Sequence, residues 1–322
     1  LDGFVADVYT SLGNKCAQVA TPTTALESAR GIVGKRNETC VVVVGGSTGM
    51  GLDMVRALAA ANARVVLTGR SQSRVDEAVS SQIPAALHAR ILARKALDLA
   101  DVGAAREFGK WLAALASDKS QCPHGLGALF LHGGMSYMPG YNGSFVAPDG
   151  KTDYLFASNV LGYVAMLEEL AVVLKRDDPV IVFTSSIVAY FGLPADAAKS
   201  PMTTKFNAAT DRPVERTPVV LEALAQYGAS KLALTALALD LAERHLLRAA
   251  AIEPGVVVSF MLEADPAKRH VGATYSLAQK AKAGWPLAFS TSVGAEKVLA
   301  TGALLARNVR PGFARHFLPY AL

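Results

Sequence analysis

Cysteine is scarce in this chain. Only Cys16, Cys40 and Cys122 occur in 322 residues. An odd number without metal-ligand spacing reads as buried or idle thiols and offers no metal site. Such thiols fit a reducing compartment, either the cytoplasm or an organellar matrix or stroma. Long hydrophobic runs are also missing. No uninterrupted apolar stretch approaches the ~18–20 residues of a membrane span, so a soluble protein is expected. Basic clusters interleaved with aromatics are absent, and a net charge of +5 is only mildly basic; a nucleic-acid surface is therefore not expected. No internal repeat or low-complexity tract is present. The first residue is Leu1 rather than Met. The natural start is thus expected to be processed or missing, and any targeting segment to be invisible.

The composition, 51% hydrophobic and 18% charged, suffices for a large core in one α/β domain or two smaller ones. Residues 1–38 read as an N-terminal arm, serving as an assembly contact or a brace. In it, Thr24-Ala25-Leu26-Glu27 is a capping box that predicts a short helix to about Arg30. From Cys40 the character changes. A β-branched run, Cys40–Val44, leads into Gly45-Gly46-Ser47-Thr48-Gly49-Met50-Gly51. A helix to about Asn62 and a strand at Arg64–Leu67 follow, which makes a βαβ unit. The alternation continues with a helix near Ser73–Ser81, a strand near Arg94–Leu97 and a helix over Asp101–Leu115. Strand Ala128–Leu131, helix Asp153–Leu174 and strand Val180–Thr184 come next, then a helix from Tyr227 to about His245 and strand Ala249–Glu253. Near-continuous apolar strands in this order predict a doubly wound parallel sheet of Rossmann type, one domain over 39–322.

The glycine turn implies a nucleotide. Gly45, Gly49 and Gly51 permit a tight turn, close backbone approach to a pyrophosphate and close strand–helix packing. The next helix would face phosphate oxygens with free N–H groups. No Lys-Ser/Thr pair follows Gly49 or Gly51, so an ATP loop of Walker type is not indicated. A purely structural turn is the alternative. The second strand ends in Thr68-Gly69-Arg70-Ser71, with Arg74 near and no acid before Asp76. A cation there suits the extra phosphate of NADP(H) rather than the ribose of NAD(H). Alternatively, Arg70 is a solvated loop cation.

Tyr227-Gly228-Ala229-Ser230-Lys231 puts a phenol and an ammonium at i and i+4, on one helix face. A free phenol ionises near pH ~10. A neighbouring ammonium favours the phenolate and lowers that value, so the pair could exchange a proton with a substrate oxygen. A solvated helix face is the other explanation for the pair taken alone.

Together, the glycine turn and Tyr227-x-x-x-Lys231 on alternating β/α resemble the short-chain dehydrogenase/reductase family, over about residues 39–260. Four further segments fall in line. Asp98-Leu99 sits where the family places an aspartate against adenine, and Asn159-Val160-Leu161-Gly162 matches its Asn-x-x-Gly helix. Thr184-Ser185-Ser186 matches the catalytic serine segment, and Pro254-Gly255-Val256-Val257-Val258-Ser259 the turn that cradles nicotinamide. The resemblance implies that Ser186 bonds the substrate oxygen and Tyr227 acts as acid/base. It further implies that Lys231 lowers the Tyr227 pKa and binds the nicotinamide ribose, while Asn159 completes a proton relay. Ser185 competes with Ser186, which the family's placement favours. The implied cofactor contacts are Gly45, Ser47, Thr48, Gly49, Met50, Gly51, Arg70, Asp98, Leu99, His132, Gly133, Gly134, Tyr227, Lys231, Pro254, Gly255, Val257 and Ser259.

Two departures stand out. The family's threonine before the first glycine is Val44, which removes a side-chain hydrogen bond. Its Asn-Asn-Ala-Gly reads Leu131-His132-Gly133-Gly134, where His132 either replaces part of the amide bonding or marks a site drifted from catalysis. Ser186 and Tyr227 lie 41 positions apart, so 187–220 reads as an insertion beside the site or a docking surface. Retinol-dehydrogenase-like and protochlorophyllide-reductase-like members also carry long segments there, but the local motif does not support the pigment as substrate. The expectation is an NADP(H)-dependent oxidoreductase interconverting a carbonyl and an alcohol. Met135, Met138, Phe191 and Phe260, if they line the cleft, suit a hydrophobic small molecule. The rival is a non-catalytic subunit of this fold in a larger assembly. Leu232, Leu234, Leu237, Leu239 and Leu241, apolar on more than one helix face, predict a homo-oligomer.

Overall fold

The structure, a computed structural model, describes residues 24–34, 37–136, 144–186, 188–189, 206–207, 212–213, 220–254, 256–257, 288–289 and 291–307. Its centre is a six-stranded sheet, and the run Cys40–Val44 (β1) shows why it forms. All five residues are buried. Successive side chains of a strand point to opposite faces. Thus Val41 and Val43 enter one apolar layer, while Val42 and Val44 enter the other. The other strands are Arg64–Gly69 (β2), Ile91–Ala96 (β3), Leu126–Leu131 (β4), Val180–Thr184 (β5) and Ala249–Ile252 (β6). They lie in the order β3-β2-β1-β4-β5-β6, every pair parallel. This is the doubly wound arrangement expected from the alternation, with its switch point between β1 and β4.

Helices cover both faces. Ala25–Val33 (α1), Gly49–Ala60 (α2) and Thr291–Ala306 (α7) supply Ala29, Ile32, Val55, Leu58, Val298 and Leu299 to one layer. Val102–Ser117 (α4), Gly162–Asp177 (α5) and Val220–Glu243 (α6) supply Phe108, Leu112, Tyr163, Met166 and Leu234 to the other. A short helix, Gln72–Glu77 (α3), follows β2 and continues as a π-helical turn over Ala78–Gln82. The capping box is present: Thr24 Oγ1 accepts from Glu27 N–H, and the Glu27 carboxylate accepts from Thr24 N–H at 2.8 Å. Gly31 lets α1 approach α7, since a Cβ there would lie 3.1 Å from the Ala303 Cβ. Helix α1 is thus a brace built into the core.

Several boundaries differ from the sequence reading. Strand β3 begins three residues earlier, because an edge strand with Arg94 and Lys95 exposed carries little apolar signal. Helix α6 begins at Val220, seven residues before Tyr227, so the tyrosine lies inside the helix rather than at its start. The helix before β5 is split into a turn at Tyr154–Phe156, a π segment at Ala157–Leu161, and α5. Tyr154–Asp177 is long and apolar enough to cross a membrane by composition. About 67% of its most apolar window is buried inside the protein, however, and it packs on the sheet.

Cys40 and Cys122 are joined in a disulfide, with Cα atoms 5.5 Å apart. This corrects the reading of both as free thiols. β1 and β4 are paired neighbours, so the first residue of β1 lies beside the turn that precedes β4. The argument for a reducing compartment rested on free thiols and loses that basis. Cys16 lies outside the described residues. Most of 187–220 also lies outside them; its described parts are residues 188–189, an antiparallel pair, Phe206–Asn207 with Arg212–Pro213, and the first residue of α6.

On α6, Leu234 is buried and Leu237 and Leu241 pack on the sheet-side layer. Leu232 and Leu239 are half-buried. The second apolar face expected of this helix is narrower than its leucines suggest.

Candidate active site at the C-terminal edge of the sheet

The carboxyl ends of β1, β2, β4, β5 and β6 converge on one edge, where ligands of open α/β sheets bind. At the end of β1 the chain turns through Gly45 (φ +83°) and Gly49 (φ +55°), both in the left-handed region. A Cβ on Gly45 would lie 2.6 Å from Gly133 Cα, and one on Gly51 only 2.1 Å from Gly45 O. Only glycine fits either place. Thr48 precedes α2 without a side-chain capping bond, so its hydroxyl does not occupy the open N–H groups of Gly49, Met50 and Gly51. The bond lost through Val44 has a substitute: Gly45 N–H donates to Thr68 Oγ1 on β2 at 3.1 Å.

Beside this turn is a pocket lined by Ser47, Thr48, Arg74, Glu77 and Gln82. Arg70 is exposed at the end of β2. Asp98, just past β3, accepts from Ala100 N–H at 3.0 Å through one oxygen and from the Tyr154 hydroxyl at 2.8 Å through the other. Leu99 is buried, and its carbonyl lies 2.2 Å from where a Cβ on Gly162 would be. These are the features of a dinucleotide cradle: a glycine turn that side chains would fill, an uncapped helix start, and a cation and an acid at the strand ends. Ser136 adds a buried hydroxyl without a hydrogen-bond partner among the described residues. The residues present therefore fit a nicotinamide dinucleotide.

At the end of β4, His132 and Gly133 N–H both donate to Val44 O, at 3.1 and 2.8 Å. His132 Nδ1 pairs with Thr184 Oγ1 at 3.0 Å. Burial and the nearby Lys231 charge push this imidazole down to about 4, so it is neutral at pH 7. Gly133 stands where the family has alanine, and the Tyr163 hydroxyl takes up the space, donating to Gly133 O at 2.6 Å. A Cβ on Gly134 would lie 3.1 Å from Asn159 Oδ1 and 3.3 Å from Lys231 Nζ. That glycine admits both side chains.

Asn159, Ser186, Tyr227 and Lys231 come together here. Asn159 is fully buried in the π segment. Its amide accepts from Met135 N–H at 2.8 Å and donates to Met135 O and Ser230 Oγ, both at 2.9 Å. It thus clasps the chain leaving β4 to α6. The geometry separates the two serines. Ser185 Oγ is buried and donates to Lys231 O at 3.1 Å, beside Thr235 Oγ1 at 2.9 Å. Ser186 is half-buried, and its hydroxyl hydrogen-bonds Tyr227. Lys231 is 3% exposed; its Nζ lies 5.5 Å from the centroid of the Tyr227 ring and donates to Thr184 O at 2.8 Å.

The Tyr227 phenol differs from the expectation. Burial pushes its pKa up, the Glu253 carboxylate adds to this, and only the Ser186 hydrogen bond opposes them. The Lys231 ammonium is turned to the Thr184 carbonyl and is itself pushed down to about 8 by burial. The sequence reading did not single out Thr68, Tyr154, Tyr163, Ser230 or Glu253. Thr68 and Ser230 lay inside quoted motifs, whereas the other three carried no spacing signal. Pro254 is buried, and Val257 lies in a two-residue parallel pairing with Phe289. Gly255, Ser259, Met138, Phe191 and Phe260 lie outside the described residues. Met135 packs with Leu155, Phe145, Tyr154 and Tyr227.

Comparison with known proteins agrees with this arrangement. The sequence profile described as short chain dehydrogenase matches residues 39–200, half of the chain. Dehydrogenase/reductase SDR family member 7B of Bos taurus is 30% identical over 164 residues, 49% of this chain and 47% of that protein. The match therefore spans about half of that relative's length. A short chain dehydrogenase of Burkholderia cenocepacia in complex with NADP superposes with a TM-score of 0.55 at 21% identity, covering 85% of this chain and 94% of the other. A short chain dehydrogenase/reductase of Saccharomyces cerevisiae gives 0.54 at 19% identity, over 83% and 90%. At these identities the two structures speak for the fold. With the parallel sheet, the glycine cradle and a family match over half its length, the chain belongs to the short-chain dehydrogenase/reductase family of oxidoreductases.

Proposed function

We propose that this chain interconverts a carbonyl and an alcohol on a hydrophobic small molecule, with NADP(H) as the redox partner. The observation that carries this is the contact of Ser186 with Tyr227 beside a buried Lys231. Bound NADP(H) would supply or accept the hydride. Ser186 and Tyr227 can hold one carbonyl oxygen between their hydroxyls. Tyr227 stays protonated at neutral pH because burial and Glu253 disfavour the phenolate. It is therefore poised to give a proton to an oxygen that gains negative charge, the direction of carbonyl reduction. Lys231, largely charged below about pH 8, steadies the tyrosinate that remains. His132 and Thr184 hold the end of β4 against β5, and Asn159 holds Met135. Arg70, and Arg74 in the adjoining pocket, favour a 2′-phosphate. Met135, with Leu155 and Phe145, gives the Tyr227 side of the site an apolar wall.

A non-catalytic subunit is the second reading, and the Leu131–Gly134 departure favours it. One experiment decides between them. The protein is titrated with NADPH and NADH by fluorescence, and turnover is followed on a panel of apolar carbonyls with wild type and Tyr227→Phe. NADPH preferred over NADH, with turnover lost in the variant, supports the enzyme. Binding of neither nucleotide overturns it.

A further inference from the structure

Ser230 lies inside α6, between Tyr227 and Lys231, and is fully buried. Its hydroxyl donates to the Tyr227 carbonyl at 2.7 Å. A serine inside a helix often bonds a carbonyl three or four residues back. This one has a second partner from another element: its oxygen accepts from Asn159 Nδ2 at 2.9 Å. The direction of each bond is fixed from outside the helix. Met135 N–H donates to Asn159 Oδ1 at 2.8 Å, so the other end of the amide carries the hydrogens. They go to Met135 O and to Ser230 Oγ, both at 2.9 Å. The one hydrogen of Ser230 is then spent on Tyr227 O.

These contacts close a ring. Met135 is held by the Asn159 amide through its backbone, and its side chain packs against the Tyr227 ring. The Tyr227 main chain is held by Ser230, and Ser230 by the same amide. One asparagine therefore fixes the tyrosine by two routes, one to its carbonyl and one to its ring. Lys231 is anchored separately. Its carbonyl accepts from Ser185 Oγ at 3.1 Å and from Thr235 Oγ1 at 3.0 Å, and its Nζ donates to Thr184 O. The lysine and the tyrosine thus have independent supports, and the hydroxyl of Ser230 serves the tyrosine.

We propose that Ser230 is a positioning residue for the Tyr227 acid, setting where the phenol stands against the apolar wall formed by Met135. The inference rests on the carbonyl-reducing reading above. A displacement of about 1 Å can cost a reacting group about a hundredfold in rate. Because Lys231 keeps its own anchors, loss of the serine hydroxyl should act on kcat and spare the nucleotide.

The test compares wild type, Ser230→Ala, Ser230→Cys, Ser230→Thr, Asn159→Ala and the Asn159→Ala, Ser230→Ala double variant. Calorimetry gives NADPH affinity. Oxidation of NADPH with decanal, benzaldehyde and acetophenone as probes gives kcat and KM, and circular dichroism checks folding. Ser230→Ala is expected to lower kcat about tenfold while KM and NADPH affinity stay within about twofold. Ser230→Cys fills the same space with a weak donor, so it should lose kcat too, whether or not the alanine variant folds. Ser230→Thr keeps a hydroxyl that can reach the same carbonyl and should recover most of kcat. In the Asn159→Ala background, Ser230→Ala should add less than about twofold, because the two residues act as a unit. A Ser230→Ala variant with kcat within about twofold of wild type would defeat this inference alone. Equal losses of kcat and NADPH affinity would mark a merely structural serine and overturn it. A threonine variant that folds without recovering kcat would overturn it as well. A wild type that binds no dinucleotide, or binds NADPH and reduces none of the probes, would defeat the carbonyl-reducing reading and this inference with it.

Discussion

Lys231 Nζ donates a 2.8 Å hydrogen bond to the carbonyl oxygen of Thr184, two residues before Ser186. The bond ties the helix that carries Tyr227 to the strand that delivers the serine. It also holds a cation where the protein resists charge, since burial pushes the lysine from 10.5 down to about 8.

That shift costs stability. Lowering a lysine from 10.5 to about 8 is worth about 3 kcal/mol against the charged form. Leaving the Thr184 carbonyl unpaired returns about 1 kcal/mol of this. Lys231→Met should therefore fold about 1–2 kcal/mol more stably at pH 7 while losing turnover. The sign follows from linkage: between pH 8 and 10.5 the unfolded chain holds the proton and the folded one does not, so the wild type gains stability as pH rises. The gap between variant and wild type should close over that window in urea titrations. A Lys231→Met protein less stable at pH 7 would contradict the argument.

His132 works at the other end of the pH scale. Its folded value of about 4 lies below the ordinary 6.5. As pH falls from 6.5 to 4, the unfolded chain takes up a proton that the folded chain refuses, and stability drops. His132→Asn should remove about 2–3 kcal/mol of the loss between pH 7 and 4.5. Urea midpoints at both pH values, compared with wild type, measure it. Equal acid sensitivity in the two proteins would show that the ring is not held neutral.

Thr68 is 1% exposed and supplies the acceptor for Gly45 N–H. Thr68→Val keeps the shape and strands that donor, at a cost of about 1–2 kcal/mol. The glycine turn should also loosen, so NADPH affinity should fall. A thermal melt and a nucleotide titration together check this. Thr68→Ser, which keeps the hydroxyl, should behave close to wild type.

The Cys40–Cys122 bridge closes a loop of 82 residues. Chain-entropy arguments give such a loop about 4.5 kcal/mol, with 2–4 typical in practice. Peptide mapping without reductant should recover the two half-cystine peptides as one species. Cys122→Ser should lower the melting temperature by several degrees, and reductant should then have no further effect. Separate peptides from the unreduced protein would refute the bridge.

Much of the fold was legible because its signals are local. β1, β5 and β6 are short β-branched or alanine runs, and their register follows from a sheet buried on both faces. The glycine turn was legible because Gly45 and Gly51 are required by backbone approach that no side chain allows. Edge strand β3 was misplaced because exposure erases periodicity. The start of α6 was missed because Tyr227 marks the chemistry and not the cap. The cysteine pair, the Thr68 substitute for the threonine missing at position 44, and the Tyr154–Asp98 hydrogen bond are contacts between distant segments. Spacing cannot reveal them. The lysine–tyrosine pairing was legible as proximity. The direction of the phenol's pKa shift depends on burial and on Glu253, which no spacing rule reports.

Helix α1 lies upstream of residue 39, where the family match begins. Yet Ala29, Ile32 and Val33 are buried in the layer formed with α2 and α7. The cooperative folding unit is therefore longer than its homologous segment. A protein trimmed to begin at residue 39 would open an apolar slot along α2 and α7 and become prone to self-association. What marks ancestry along this chain and what marks thermodynamic independence begin at different residues.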